Sequence, residues 1–295
     1  MASSLWSARG ASGGLRLGGR PARRMGVLLS YLVLGLGSMF FLFPLYWQLS
    51  TSLKTWQDAQ RYPPLWLPWP PQWSNYAELV QRFPFALYLR NSAFIVTLVI
   101  LGVLLSSSLA AYGFARLRMP GRDTIFLILL STLMLPGAVL IIPQFVLFQS
   151  LHWVNTYKPL IVPSFFGNPF SIFLLRQFLL SIPVDLEDAA RIDGAGYLRT
   201  YAQIILPLAR PALLAVAIYT FLGTWNDFVG PLLYIKSPDL FTVSIGLAGF
   251  RSIMRSRWDL LIAASTAMTV PVIALFFAAQ RYFFESGGIT LTGLK

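Results

Sequence analysis

The chain has 295 residues, of which 56% are hydrophobic and only 12% charged, where a soluble domain carries about 25% charged residues. That surplus of apolar side chains exceeds what one globular core can hide, so a membrane is the first solvent to consider. The net charge of +12 rests on basic residues scattered singly between apolar runs, which excludes a nucleic-acid groove; the lack of Cys excludes disulfides and thiolate metal sites, and His152 as the sole histidine excludes His-pair metal sites.

The chain opens with Arg9, Arg16, Arg20, Arg23 and Arg24 and no acid. The apolar run that follows is longer than a secretory signal core, and no small-residue cleavage site comes after it. Residues 1–24 therefore read as a disordered, basic cytoplasmic tail. Met25 to Ser50 is uncharged and long enough to cross a bilayer, the first of six such segments. Residues 51–89 form an outer segment rich in Trp and Pro. Pro at this density forbids a long helix, and Trp favours the headgroup zone. The segment reads as an interfacial wrap, with a partner-binding surface as the alternative.

The second and third spans, about 91–115 and 124–149, carry no charge, and the connection between them, "RLRMPGRD", holds Arg116, Arg118 and Arg122. The fourth, about 160–182, contains only Arg176, placed near the inner end where it can snorkel. "PSFFGNPF" interrupts this span. Broken helices expose backbone groups that can serve a solute, which makes Asn168 a candidate for the pathway, although a packing kink gives the same pattern. The fifth span, about 211–235, holds Trp225, Asn226 and Asp227. A polar group at membrane depth invites a pathway or gate role, against the plainer reading of a helix-end contact. The sixth runs over about 260–280, and residues 282–295 form a tail. Pro136, Pro143 and Pro271 read as kinks.

With the N-terminal tail inside, 14 of the 23 basic residues fall on the inner side and nine on the outer. The bias sets the orientation. The expectation is an all-α, multi-pass membrane protein with six transmembrane helices and both termini cytoplasmic.

The inner loop 184–210 breaks the pattern of the chain. Between Asp185 and Gly194 lie five charged residues, four of them acids, out of 11 acids in the whole protein. Pro183 ends the fourth span. Asp185 can cap a new helix, Glu187 and Asp188 suit the positive end of its dipole, and Gly194 supplies a left-handed stop. A helix of two to three turns, Leu186 to Asp193, is marginal alone, so it needs something to dock on. An acidic first turn disfavours anionic lipid, and Ala189 and Ala190 offer a face that permits close approach. A second helix follows from about Tyr197 to Leu206, with Leu198, Tyr201, Ile205 and in part Ala202 on its apolar side.

This loop resembles that of the permease subunits of binding-protein-dependent ABC importers, of the maltose and glycerol-phosphate type. Their loop reads Glu-Ala-Ala, three residues, Gly, nine residues, Ile, one residue, Leu-Pro. Here Asp188, Ala189, Ala190, Gly194, Ile204, Leu206 and Pro207 fill the places, with Asp188 for Glu and Glu187 before it. "AAYGFARLRMPGRD", "FLLRQF", "WNDFVGPL" and the ending "QRYFFESGGITLTG" are similar to family segments too, and the similarity spans about 25–293.

The resemblance implies the type-1 importer permease fold, the cytoplasmic membrane of a prokaryote, and passage of a sugar or a related polyol or sugar-phosphate solute by alternating access. It implies a second permease, two ATP-binding ATPase subunits and an extracytoplasmic solute-binding protein as partners, besides the lipid membrane. The loop helix would sit in a cleft of an ATPase, with Glu187 and Asp188 pairing with its basic groups. ATP and Mg would belong to that partner, since the chain has no phosphate-cradling Gly loop; no catalytic or metal-ligating residue is expected here. Two rivals remain: a self-sufficient secondary transporter, for which repeats and buried carboxylates are wanted, and a membrane-embedded enzyme, which needs paired carboxylates or an activated nucleophile.

Overall fold

The computed structural model describes the backbone of residues 20–253 and 257–288 and the side chains of 26–250 and 257–280. Residues 1–19 of the basic tail and 289–295 of the C-terminal tail lie outside the described residues. Among the described residues the regular elements are helices, and no strand occurs.

Helix α1 (Arg20–Ser52) takes in the first apolar run and begins inside the stretch read as a disordered tail. Two short helices, α2 (Trp56–Ala59) and α3 (Ser74–Arg82), punctuate the Trp/Pro segment. Polar side chains tie that segment to the end of α1. Asn75 Nδ2 donates to the carbonyls of Ser52 and Lys54, both at 2.9 Å, and Ser50 Oγ donates to Trp66 O at 2.6 Å. The wrap is therefore a fixed cap on α1, while Tyr62, Trp69 and Trp73 stay exposed.

Helix α4 (Phe85–Arg116) is the hub. Its 32 residues contain no Pro, and buried positions recur along it from Phe85 to Ala115. It serves two apolar clusters. One, toward the Arg116 end, includes Val103, Ala111, Tyr112, Ala115, Leu175, Ile205, Ala209 and Val216. The other, toward Phe85, includes Leu79, Tyr88, Val96, Trp225, Val243 and Leu260. In lipid no hydrophobic drive joins helices, so close approach through small residues must do it. Ala111, Ala115 and Ala209 supply that at the cluster toward Arg116.

The third apolar segment is not one straight span. Helix α5 (Arg122–Ser131) and a 3₁₀ turn at Thr132–Met134 meet α6 (Gly137–Ser150) at 99°. Leu135 is extended, with ψ 119°, because Pro136 disfavours helix before it and has no N–H to donate. Pro136 thus marks a corner and not merely a kink.

The fourth segment is also broken. Helix α7 (Lys158–Ile161) runs into a 3₁₀ turn at Val162–Phe166, and α8 (Pro169–Leu180) restarts after Gly167, whose φ is +91°. The break is satisfied from α4: Ser106 Oγ donates to Ser164 O at 3.0 Å, and Ser107 Oγ accepts Asn168 N–H at 3.1 Å. A Cβ on Gly102 would collide with the Ser164 and Phe165 side chains, so glycine is required for this approach.

The loop 184–210 comprises α9 (Asp185–Ile192), α10 (Tyr197–Thr200), a π turn at Tyr201–Ile205 and α11 (Leu206–Leu208). Helix α12 (Arg210–Trp225) leaves it at a bend of 76°. Its 16 residues rise about 24 Å, short of the roughly 30 Å of a hydrocarbon core. After a break, α13 (Val229–Tyr234) continues it. Asn155, at φ +62°, clamps the end of α13: its Oδ1 accepts the amides of Lys236 and Ser237 at 3.0 and 2.9 Å. Helix α14 (Val243–Ile253) and the long α15 (Trp258–Gly288) complete the fold, with α1 packed along α15. Among the described residues four helical runs are long and apolar enough to cross a membrane: Gly26–Ser52, Phe85–Arg116, Lys158–Leu180 and Trp258–Gln280. The two bent pairs raise the number to as many as six.

Candidate coupling face and solute cavity

Helix α9 starts one residue earlier than its sequence suggests. Val184 holds the cap position and Asp185 is the first helical residue, so the Asp185 side chain makes no cap hydrogen bond. The far end closes as a Schellman motif. Gly194 N–H bonds to Arg191 O at 3.0 Å and Ala195 N–H to Ala190 O at 2.8 Å, with Gly194 at φ +82°. A short helix is thereby finished at its C-terminus without help from a partner.

The acids of its first turn part company. Asp188 faces out, its side chain 57% exposed, and only Arg191 meets it, at 3.3 Å. Glu187 faces in and is 1% exposed. Its Oε1 lies 2.5 Å from Arg116 Nε, and its Oε2 accepts from Tyr112 Oη at 3.3 Å. Glu187 is thus not part of the outward surface on which pairing with an ATPase was expected. Consecutive helix positions differ by about 100°, which turns one of two adjacent acids inward. Ala190 is buried with Glu187, whereas Ala189 and Gly194 are exposed.

Beyond Gly194 the outward face continues with apolar groups. Ile192 is 86% exposed and Leu198 73%, and Tyr197 is exposed with the Arg191 guanidinium 4.9 Å from its ring centroid. Leu198 does not join the apolar side expected for the second helix, and Ala202 is exposed as well. Of the four residues expected on that side, Tyr201 and Ile205 pack inward, and Thr200 is buried beside them. Ile204, Leu206 and Pro207 are half-buried where the loop joins α12.

A cavity of about 410 Å³ lies between α4, the break ahead of α8, and α12. Val99, Val103 and Pro163 give it apolar walls. Ser164, Asn168, Ser171, Thr220 and Thr224 give polar ones, and no charged side chain lines it. The Tyr219 ring lines it too, leaning on Phe170 with centroids 4.8 Å apart. Asn168 caps α8 through Oδ1, which accepts Ser171 N–H at 2.9 Å.

The other pathway candidates lie elsewhere. Trp225 is buried, its indole N–H donating to Met268 O at 3.2 Å. Asn226 Nδ2 donates to Leu222 O at 2.8 Å, and Asp227 Oδ1 accepts Gly230 N–H at 3.1 Å, so both serve the break between α12 and α13. Arg176 is an internal tie: its Nε donates to Phe114 O at 3.3 Å, and its guanidinium stands 4.2 Å over the Phe126 ring.

Tyr219, Thr220 and Thr224 were not singled out from the sequence, although Thr220 and Thr224 stand four apart on one helix face. Arg116 had counted only as a positive charge beside a span. The signal that marks it is the spacing of Ser108, Tyr112 and Arg116, four apart along α4.

Comparison with known proteins matches residues 99–285 to the family described as binding-protein-dependent transport system inner membrane component. An arabinooligosaccharide transport permease of Halalkalibacterium halodurans is 40% identical, over 70% of this chain and 72% of its own. A diacetylchitobiose uptake permease of Streptomyces coelicolor is 34% identical, over 86% and 84%. An sn-glycerol-3-phosphate permease of Yersinia enterocolitica is 32% identical, over 87% and 94%. The fold is similar to that of a chain of a bacterial ABC transporter involved in alginate import, with TM-score 0.78 at 22% identity, covering 90% of this chain and 99% of that one. The rival readings, secondary transporter and membrane-embedded enzyme, are not favoured. This chain belongs to the binding-protein-dependent transport system inner membrane components, and it is a permease subunit of an ABC importer, not an enzyme.

Proposed function

We propose that the chain forms half of a solute pathway in the cytoplasmic membrane of a prokaryote, crossing six times with both termini cytoplasmic. A second permease supplies the other half, two ATPase subunits bind ATP and Mg, and an extracytoplasmic binding protein delivers the solute. The outward face of α9, with Asp188, Ala189, Ile192 and Gly194, is the surface an ATPase grips. One observation carries this reading: a helix of eight residues presents large apolar side chains in the open, and exposed apolar groups of that kind mark a docking site.

The solute reading is an uncharged sugar or short oligosaccharide. Tyr219 offers a ring face to a sugar, and the amide and hydroxyls of Asn168, Thr220 and Thr224 suit its hydroxyl groups. No charged side chain in this lining would balance a phosphate ester.

The test is co-purification. Ile192→Glu with Leu198→Glu places two charges on an exposed face, so the protein should still insert and fold. Loss of the ATPase subunits from the purified complex is the expected result. Retention of them with normal transport overturns the assignment of this face.

A further inference from the structure

Both limbs of the inner loop are held by a single stripe of α4. Ser108, Tyr112 and Arg116 recur every four residues and so lie one above another on that helix. Arg116, 6% exposed, contacts Glu187 of α9 at 2.5 Å, and its Nη2 donates to Ile182 O, in the connection leaving α8, at 2.7 Å. Tyr112 donates to the same Glu187 at 3.3 Å. Its ring also meets the Tyr201 ring of the π turn, with centroids 5.3 Å apart. Tyr201 Oη in turn lies 2.7 Å from Ser108 Oγ. One helix face thus touches α9, the end of the α8 connection and the second limb.

A buried ion pair is not the most stable way to fill such a space. Replacement by apolar side chains of similar volume is often neutral or stabilising, because two charges lose their water. The Nε to Oε1 approach is moreover a charge contact and not an aligned hydrogen bond. What the pair supplies is resistance to separation. Apolar surfaces in lipid slide past one another at little cost, while opposite charges in a low-dielectric interior attract strongly.

The same helix reaches the cavity. Val99 and Val103 line it, and Val103 stands 13 residues from Arg116, about 20 Å along α4. No Pro or break interrupts the helix between them.

We propose that Glu187 and Tyr201, gripping the Ser108–Tyr112–Arg116 stripe, form the joint through which displacement of α9 moves α4 and thereby the cavity wall. Glu187 is a positioning residue acting through Arg116, and Asp188 is left for the partner. The joint rests on the reading of α9 as the ATPase-facing helix.

The test uses the reconstituted importer and reads solute moved per ATP hydrolysed. Arg116→Met with Glu187→Leu should insert, retain the ATPase subunits and transport at least about tenfold less per ATP. Arg116→Glu with Glu187→Arg, which restores opposite charges, should regain most of that ratio. A second readout uses the absence of native cysteine. Spin labels at Leu186→Cys, on the side of α9 away from Asp188, and at Leu105→Cys report the distance from α9 to α4. In the otherwise unaltered chain nucleotide should leave this distance unchanged, since the two helices move together; in the Met/Leu pair nucleotide should shift it.

Wild-type coupling in the Met/Leu pair overturns the joint. So does a swapped pair that inserts yet stays uncoupled, or a distance that shifts equally in both proteins. If the Met/Leu pair instead sheds its ATPase subunits, Glu187 belongs to the docking surface and the joint falls while the α9 reading stands. The α9 reading itself fails only if the Ile192→Glu, Leu198→Glu protein keeps its ATPases and transports normally.

Discussion

Arg257 and Glu78 lie 179 residues apart in the chain, yet their side chains meet as a two-pronged bridge, Nη1 to Oε1 and Nη2 to Oε2, each at 3.0 Å. The same guanidinium holds Asp259 at 2.9 Å, and Glu78 also meets Arg82 at 2.7 Å. This cluster fastens the amphipathic helix α3 of the Trp/Pro-rich cap to the start of α15. The hydrogen bonds from Arg257 hold the Glu78 carboxyl below its ordinary 4.5. The bonds that the Asp259 and Glu78 carboxylates accept raise the Arg257 guanidinium further above its already high value.

Glu78→Gln should therefore loosen the Trp/Pro-rich cap by about 1 kcal/mol, the scale of a partly exposed pair. A carboxyl with a depressed folded pKa contributes stability that is present above its unfolded value and lost as pH falls through the folded one. The melting-temperature gap between the original protein and Glu78→Gln in detergent should be full above pH 4.5 and close on acidification below it. A gap independent of pH would count against the bridge.

Gly102→Val should be among the most damaging single changes in the spans. The new side chain would drive into Ser164 and Phe165, and forced overpacking costs about 1–3 kcal/mol. The Ser106 to Ser164 bond that satisfies the break would be strained with it. Faster proteolysis of the solubilised protein, and a smaller effect in Gly102→Ala, are the expected results.

Gly194→Val replaces a residue at φ +82° with a β-branched one, a backbone cost of about 1–3 kcal/mol. No neighbour would meet the added Cβ, so the damage is local to the helix stop. The protein should insert with a near-normal melting temperature but lose stimulated ATP hydrolysis. Normal transport by this variant would remove Gly194 from the coupling face.

Tyr219→Leu should raise the solute concentration for half-maximal transport of a neutral oligosaccharide severalfold, a loss of about 1 kcal/mol, and leave coupled ATP use intact. Asn168→Ala should do the same and also destabilise the protein by about 1 kcal/mol through the lost α8 cap. A variant of Tyr219 with unaltered transport kinetics would place the solute elsewhere.

Locally encoded features were legible in the residues themselves. Uninterrupted apolar runs mark lipid-crossing helices because backbone groups in lipid have no other partner. Pro183 and Gly194 bracket α9 to within a residue because their preferences are properties of single dihedral angles. The clustered acids of α9 stand out because the rest of the chain carries so few.

Tertiary structure alone decided what depends on residues distant in sequence. Glu187 and Asp188 are neighbours of one chemical type, and only Arg116, arriving from another helix, makes one an internal anchor and leaves the other for a partner. The corner at Pro136 and the break at Gly167 needed the same context, since a proline permits a bend but its neighbours set the angle. The cavity was illegible for that reason too: Val99, Asn168 and Tyr219 share a wall only because serines of α4 meet the loosened backbone beside Gly167. Periodicity and single-residue preference act over a few bonds, whereas packing and ion pairing act across the whole molecule.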